Sequence, residues 1–463
     1  MSFRPRIRLK GVDTMTEKQD RRIILTLMLA GFIGSLSQNM LSSALPAIMQ
    51  TFDVSAAIGQ WLTTSYILVM GIITAVSAFL FYRFHTRLLV QVSLGLFSLG
   101  CILALLAQSF PMLLAARILQ AVGAGPLIPL LQIVVLHLYP PERQGFALGL
   151  TGIIVGFAPA VGPTLSGLLV DAFGWRSIFV FLLVISGVVL LLGQLSLRSI
   201  GERVLQPLDL FSIVLYTVGF SAVMLGVTFL RSGSFLQADV LLSFAVGIGA
   251  LWLFVRRQNR LETPFLRLRL LAQYRTLVYG CILLGAAYVL NMAGTILVPL
   301  FNQTLCGYSA TASGLLLLPG SLVIAVFSPI SGKLTDRFGA KRVCIGGMLA
   351  NAVGNLMFFF AGTDAGAALI LLSYAFRGLG MAMVMTPSTS LAVQEIRLSE
   401  KPHAMAILNS FRQMSGSLFS TVLVILATVA SLPSSAINLF GMHAAFLAMA
   451  GLSVLGIVIS ILM

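Results

Sequence analysis

Long apolar runs, separated by short charged or turn-rich breaks, occupy almost the whole chain. Runs of about 20 apolar residues, the length a helix needs to cross hydrocarbon, lie near residues 23 to 45, 59 to 81, 88 to 107, 112 to 136, 146 to 170 and 177 to 197. Two more fall near 210 to 230 and 237 to 255, and another six near 276 to 300, 311 to 331, 342 to 361, 366 to 392, 404 to 431 and 440 to 462. Polarity inside the runs is continuous, whereas the strands of a membrane barrel alternate over about 10 residues. Hydrocarbon leaves a continuous apolar segment only one way to satisfy its own backbone, which is a helix. The pattern predicts an all-α polytopic membrane protein with about 14 transmembrane helices.

The charges in the breaks give an independent test, because cytoplasmic loops retain an excess of Lys and Arg. Of the 29 basic residues, 24 fall in segments that this span count places on one side. These segments carry Arg4 to Arg22, Arg83 and Arg87, Arg143, Arg198 and Arg203, Arg256 to Arg275, Lys333 to Arg342, and Arg397 with Lys401. Only Arg176 and Arg231 fall on the other side, while Arg117, Arg377 and Arg412 lie inside runs. The distribution predicts cytoplasmic termini and a multi-pass protein of the cell (inner or plasma) membrane, with residues 1–22 forming a basic cytoplasmic segment.

Composition adds what the pattern does not. Hydrophobic residues make up 58% and charged residues 9% of 463, against roughly 25% charged in soluble domains. The formal charge of +15 is spread over the loops of one face and is not interleaved with aromatics in a compact module. It therefore points to membrane lipid headgroups and to no nucleic acid. The amino-terminal stretch has no cleavage-site pattern, so no removed signal peptide is expected, and Met15 is a second candidate start. Cys101, Cys281, Cys306 and Cys344 show no metal-ligand spacing, and His85, His137, His403 and His443 lie near run ends. With no phosphate-binding GxxxxGK[ST] loop either, no metal, cofactor or enzymatic activity is expected, and any transport must be secondary.

The chain also repeats itself. AFLFYRFHTR (78 to 87) follows the second run of the first six, and GKLTDRFGAKR (332 to 342) follows the second run of the last six. RILQAVGAGPLIP (117 to 129) and RGLGMAMVMTP (377 to 387) share an arginine, small residues and a late proline in the fourth runs. The repeat divides the chain into a six-helix half at 23–197, two inserted helices at 210–255 and a second six-helix half at 276–463. With GPTLSG (162 to 167) and LFNQTLCGYSATASGLLLLP (300 to 319), these segments resemble the major facilitator superfamily, and within it the fourteen-span drug:proton antiporter group of multidrug efflux transporters.

Each motif has a physical reading beside its family label. Gly332 and Gly339 permit close helix approach and a tight turn. The resemblance implies that Asp336, Arg337 and Arg342 form a cytoplasmic gate between the halves; the alternative is a topology anchor. In the first half Tyr82 and His85 stand where the motif has aspartate and glycine. Gly162, Pro163 and Gly167 allow close packing in lipid, and the resemblance adds a bent helix coupled to antiport. A guanidinium inside a span is costly and marks a functional site. For Arg117 the resemblance implies proton coupling, with Gln120 three residues on along the same helix face; capping of neighbouring carbonyls is the alternative.

All 14 acidic residues fall in loops or termini, so no buried carboxylate is available to carry a proton. Relatives in the group carry an aspartate in the first run, where LSQNMLSSALP (36 to 46) has Ser37. Three arginines without acids favour a neutral, amphiphilic or anionic substrate over a simple cation. Polar residues within runs outline a substrate cavity: Gln38, Asn39, Trp61 and Tyr66 in the first half. Asn291, Asn351, Asn355, Arg377, Asn409, Arg412 and Gln413 complete it from the second, with helix-to-helix hydrogen bonding as the alternative role for each. The expected activity is proton-coupled efflux of drugs or other small amphiphilic compounds by alternating access, by a functional monomer. The alternative is a substrate-specific exporter or facilitator, of a neutral or anionic metabolite, without conventional proton coupling.

Overall fold

The computed structural model describes residues 17–54, 56–59, 61–140, 143–198, 209–229, 237–261, 264, 266–429 and 438–463. The amino-terminal basic segment up to residue 16, together with Arg203 and Arg231, lies outside the described residues. The first eight helices are α1 (Glu17–Phe52), the single turn α2 (Ala56–Gly59), α3 (Trp61–Arg83), α4 (Thr86–Leu105), α5 (Phe110–Ala124), α6 (Leu127–Leu138), α7 (Gln144–Phe173) and α8 (Ser177–Ser196). A hairpin of α9 (Leu210–Phe229) and α10 (Ala238–Arg260) follows, then the short α11 (Arg269–Gln273). The chain ends with α12 (Arg275–Thr304), α13 (Ala310–Phe338), α14 (Ala340–Phe359), α15 (Ala367–Gln394), α16 (Lys401–Val429) and α17 (Leu439–Leu462).

Among the described residues, twelve helical segments are long and apolar enough to cross a membrane, with α5 and α6 counting as one. The fifth and thirteenth expected runs are absent from that set, although α7 has 30 residues and α16 has 29. Asn409, Arg412 and Gln413 lower the hydropathy of α16. The described side chains of α7 form two shorter apolar stretches, Gln144–Ile154 and Val161–Phe173. The fourth run, expected as one helix, is broken at Gly125 and Pro126 into α5 and α6. Proline cannot donate to the ladder, so Pro129, four residues on, leaves the carbonyl of Gly125 without its helical donor, and that carbonyl accepts instead from Thr74 Oγ1 of α3 at 3.1 Å.

Helices α1 to α8 pack on one another, as do α12 to α17, while α9 pairs with α10. The basic breaks gather at one end of the bundle. There Tyr82 OH donates to the carbonyl of Ser399, Lys401 Nζ to Gln144 Oε1 (3.0 Å), Arg267 meets Glu400 (3.4 Å), and Lys341 Nζ donates to the carbonyl of Ile461 (2.6 Å). Contacts among the other breaks lie at the opposite end, where Trp175 Nε1 donates to Thr51 Oγ1 (3.1 Å) and Tyr308 OH to the carbonyl of Ala365 (3.2 Å). Alternate breaks thus sort to alternate ends.

Two seams join the two groups of helices. In the first, α7 lies against α13 with backbone touching backbone. A methyl at Gly332 would stand 2.3 Å from the carbonyl oxygen of Gly145, and one at Gly149 2.6 Å from that of Ser328. In the second, α3 meets α16, and α9 packs on both. Phe220 of α9 and Gln413 of α16 both abut Gly71 of α3, and Tyr216 OH of α9 lies 3.4 Å from Met414 Sδ. A two-toothed ion pair from Arg257 to Asp209 (2.8 and 3.0 Å) closes the α9–α10 hairpin and holds the Asp209 carboxyl below its ordinary range.

Gly332→Val forces a side chain into the α7 backbone, where overpacking typically costs about 1–3 kcal/mol. The expected outcome is a lower unfolding temperature and loss of a monodisperse elution peak in detergent. Gly366→Ala, at a glycine with open space around it, should leave both unchanged.

Candidate functional site

Arg117 of α5 is fully buried, and neighbouring helices bring it a complete set of acceptors. Its Nη1 donates to Ser37 Oγ at 2.9 Å and to Gln120 Oε1 at 2.7 Å; Nη2 donates to the carbonyl of Ser37 and Nε to that of Leu62, both at 3.4 Å. The guanidinium lies 4.1 Å over the ring of Tyr66, whose hydroxyl donates to the carbonyl of Gly34 at 2.9 Å. Gln120 in turn directs Nε2 to Cys101 Sγ at 3.3 Å. Arg117 and Gln120 therefore form one unit with Ser37 and Tyr66, and the unit contains no carboxylate. Its positive charge is met by dipoles and a ring face.

Arg377, at the repeat-related position in α15, is 5% exposed and far less satisfied. Nη2 donates to the carbonyl of Leu290 at 2.6 Å, whereas Nε and Nη1 have no partner. Asn351 Nδ2 and both polar atoms of Asn355 also lack partners. Arg377, Asn291 and Asn351 line a narrow cavity among α12, α13, α14 and α15, away from the seams. Gly380 stands three residues after Arg377, where Gln120 follows Arg117, and that difference removes the side-chain oxygen that serves the first arginine.

A separate, small cavity of about 20 Å³ lies between the two groups of helices. Its polar wall comes from Ser35, Gln38 and Asn39 of α1 and from Arg412 of α16. Met70, Ile128, Tyr288 and Met292 supply the apolar remainder. Arg412 sits 4.7 Å over the ring of Tyr288. Asn409, one turn before Arg412, ties the groups together by donating to Gln132 Oε1 of α6 at 2.6 Å.

Of the residues expected to line a single cavity, the structure brings Gln38, Asn39 and Arg412 together, with Asn409 and Gln413 on the adjoining seam. Tyr66 belongs to the Arg117 unit, and Asn291, Asn351 and Arg377 line the second cavity, beside which Asn355 is buried. Trp61 corrects the expectation, since it opens α3 and is 42% exposed. Ser35, Met70, Tyr288 and Met292 escaped the sequence reading. Tyr288 precedes Asn291 by three residues in an apolar run, and that pairing was the available signal.

At the basic end the glycines of the loop motif act as expected. Gly339 takes φ of 84° between α13 and α14, a conformation that favours glycine. Asp336 caps a helix: its Oδ1 and Oδ2 each accept at 3.1 Å, from the backbone N–H groups of Gly145 and Phe146 at the start of α7. These are donors that a helix start leaves unsatisfied, at the positive end of its dipole. Of the three residues expected to form the gate, Asp336 makes the tie to α7, and no arginine pairs with it among the described residues. Among the described residues the ion pairs are Asp209–Arg257 and Glu400–Arg267, and Arg337 lies over Phe338 at 5.1 Å while Arg342 is exposed. The helix start already supplies what the carboxylate needs. Gly162 lets α7 approach Asn39 of α1, Gly167 has open space around it, and Pro163 lies within α7.

The Major Facilitator Superfamily model matches residues 27–421. The uncharacterized MFS-type transporter YcnB of Bacillus subtilis is 35% identical, over 95% of this chain and 94% of its own length. The lincomycin resistance protein LmrB of Bacillus subtilis is 36% identical, over 87% of this chain and 84% of its own. In fold, the proton:xylose symporter XylE superposes with a TM-score of 0.68 at 16% identity, covering 96% of this chain and 95% of that one. A bundle of apolar helices in two packed groups, a cavity between them and relatives that include a drug-resistance transporter make this chain a multi-pass plasma-membrane transporter belonging to the Major Facilitator Superfamily.

Proposed function

We propose that the protein is a secondary exporter of small amphiphilic compounds, drugs among them, that works by alternating access between 23–197 and 276–463. The observation that carries this reading is the position of the polar ties between the two groups. Asp336 on α7, Tyr82 on Ser399, Lys401 on Gln144 and Asn409 on Gln132 run from the basic end toward the middle, beside the cavity. Such a molecule is fastened at one end and can rock about the cavity when the ties break. In this reading all fourteen runs span the membrane and the basic end, with both termini, faces the cytoplasm. Residues 1–22 rest on anionic lipid headgroups, 210–255 is an insert, and the working unit is a monomer.

For the driving force we propose outward movement against an inward flow of protons, with Arg117 and Gln120 in the coupling unit. Ser37 favours a second reading. It fills the acceptor position on Arg117 with a hydroxyl that does not titrate, which suits an exporter or facilitator without conventional proton coupling.

Everted vesicles containing the protein should accumulate members of a panel of amphiphilic dyes, and an uncoupler should cut the accumulation at least ten-fold. Accumulation that survives the uncoupler selects the second reading, and a panel that does not move at all rejects the exporter. Asp336→Asn keeps an acceptor but removes the charge on the α7 start, a loss of about 1–2 kcal/mol in a partly buried helix-end interaction. A thiol placed in the cavity by Met292→Cys should then react about 5- to 10-fold faster with an impermeant reagent added to everted vesicles.

A further inference from the structure

The three buried arginines differ in what meets their charge. Arg117 has oxygen acceptors on all three of its guanidinium nitrogens and a tyrosine face. Arg377 has one carbonyl and lies away from the seams. Arg412 is 4% exposed, its Nε has no partner, and among the described residues its guanidinium lies over the ring of Tyr288 at 4.7 Å. No carboxylate among the described residues pairs with it. Yet Arg412 is the arginine that lines the cavity on the seam. An unpaired charge held away from water is costly until a counter-charge with hydrogen-bond acceptors reaches it.

The rest of the cavity describes the ligand that would bring that charge. Gln38, Asn39 and Ser35 face Arg412 from α1 and offer neutral polar groups with no competing anion. Met70, Ile128 and Met292 supply apolar surface beside them, and methionine adapts to bodies of different shape. The cavity itself measures about 20 Å³, so an organic body is taken up only as the two groups of helices part around it. We infer that the seam cavity binds an organic anion, with a single carboxylate, sulfonate or phosphate head on the guanidinium of Arg412 and an apolar body on the methionines. The inference rests on the exporter reading for its consequence, since it names the substrate class of that site. It also gives the missing acid a source, because the cargo carries the negative charge that no membrane-embedded residue supplies. A ligand that engages Arg412 on one wall and α1 on the other joins the two groups of helices only when it is present.

The test uses two dyes that differ by one charge. 1-Anilinonaphthalene-8-sulfonate is the sulfonated form of neutral N-phenyl-1-naphthylamine, and both can be titrated against purified full-length protein in an uncharged detergent. The sulfonate should bind at least ten-fold more tightly than the neutral dye. Arg412→Gln should remove that preference, Arg412→Lys should keep most of it, and Arg377→Gln should leave it intact. Equal binding of the two dyes, or a preference that survives Arg412→Gln, overturns the inference. Should Arg412→Gln fail to fold, Asn39→Asp offers the same test from the facing wall: its carboxylate should weaken the sulfonate at least ten-fold and spare the neutral dye. An unchanged sulfonate affinity in that variant overturns the inference as well. Binding is measured without transport, so the two readings fail separately. A charge preference that depends on Arg412, in a protein that moves neither dye in vesicles, supports the anion site and rejects the exporter.

Discussion

Helices immersed in hydrocarbon gain nothing by hiding leucine from a solvent that is equally apolar, so their association depends on how closely their backbones can approach. The seam of α7 and α13 is built on that constraint. Gly145, Gly149 and Gly332 bring main chain against main chain over the basic half of both helices, at distances where a single methyl would collide with a carbonyl. Once the backbones are that close, the carboxylate of Asp336 reaches the first free N–H groups of α7 without a bridging side chain. Close approach and capping are thus one device. The seam holds because nothing bulky separates the helices, and its polar contacts include the two hydrogen bonds to one carboxylate and Lys333 Nζ over the ring of Phe146 at 5.2 Å.

Much of the fold was legible in the chain because hydrocarbon imposes a length and a polarity on every helix that crosses it. The runs near 59 to 81 and 177 to 197 correspond to α3 and α8 within a few residues. The break in the fourth run was less visible, although Pro126 and Pro129 were there to be read. What the chain alone does not show is that Thr74 of α3 offers the Gly125 carbonyl the partner that Pro129 cannot supply. The site was legible in kind and not in grouping. Polar residues inside apolar runs stand out in the sequence, but which cavity each one faces depends on the rotation of its helix. A one-dimensional list merges positions that packing assigns to a seam, to the interior of one group, or, for Trp61, to an exposed end.

The repeat sharpens the comparison of the arginines. Arg117 and Arg377 occupy related places in related helices, and the chain treats them differently because Gln120 and Ser37 serve one while Gly380 leaves the other with a single carbonyl. Removing one oxygen from a buried guanidinium leaves a donor stranded at a cost of about 1–3 kcal/mol. Arg377, Asn351 and Asn355 thus keep stranded donors in the interior of one group of helices, whereas Arg117 keeps none.

The α9–α10 hairpin has a bearing on what a lipophilic solute meets at the flank of the bundle. At the level of Gly71, Phe220 of α9 closes on the line where α3 meets α16, and Tyr216 continues the cover along α16. A lipophilic molecule that approaches that line from the bilayer therefore meets the flank of α9 before it meets α3 or α16. The opposite line, along the basic half of α7 and α13, is occupied by the glycine contacts of the first seam.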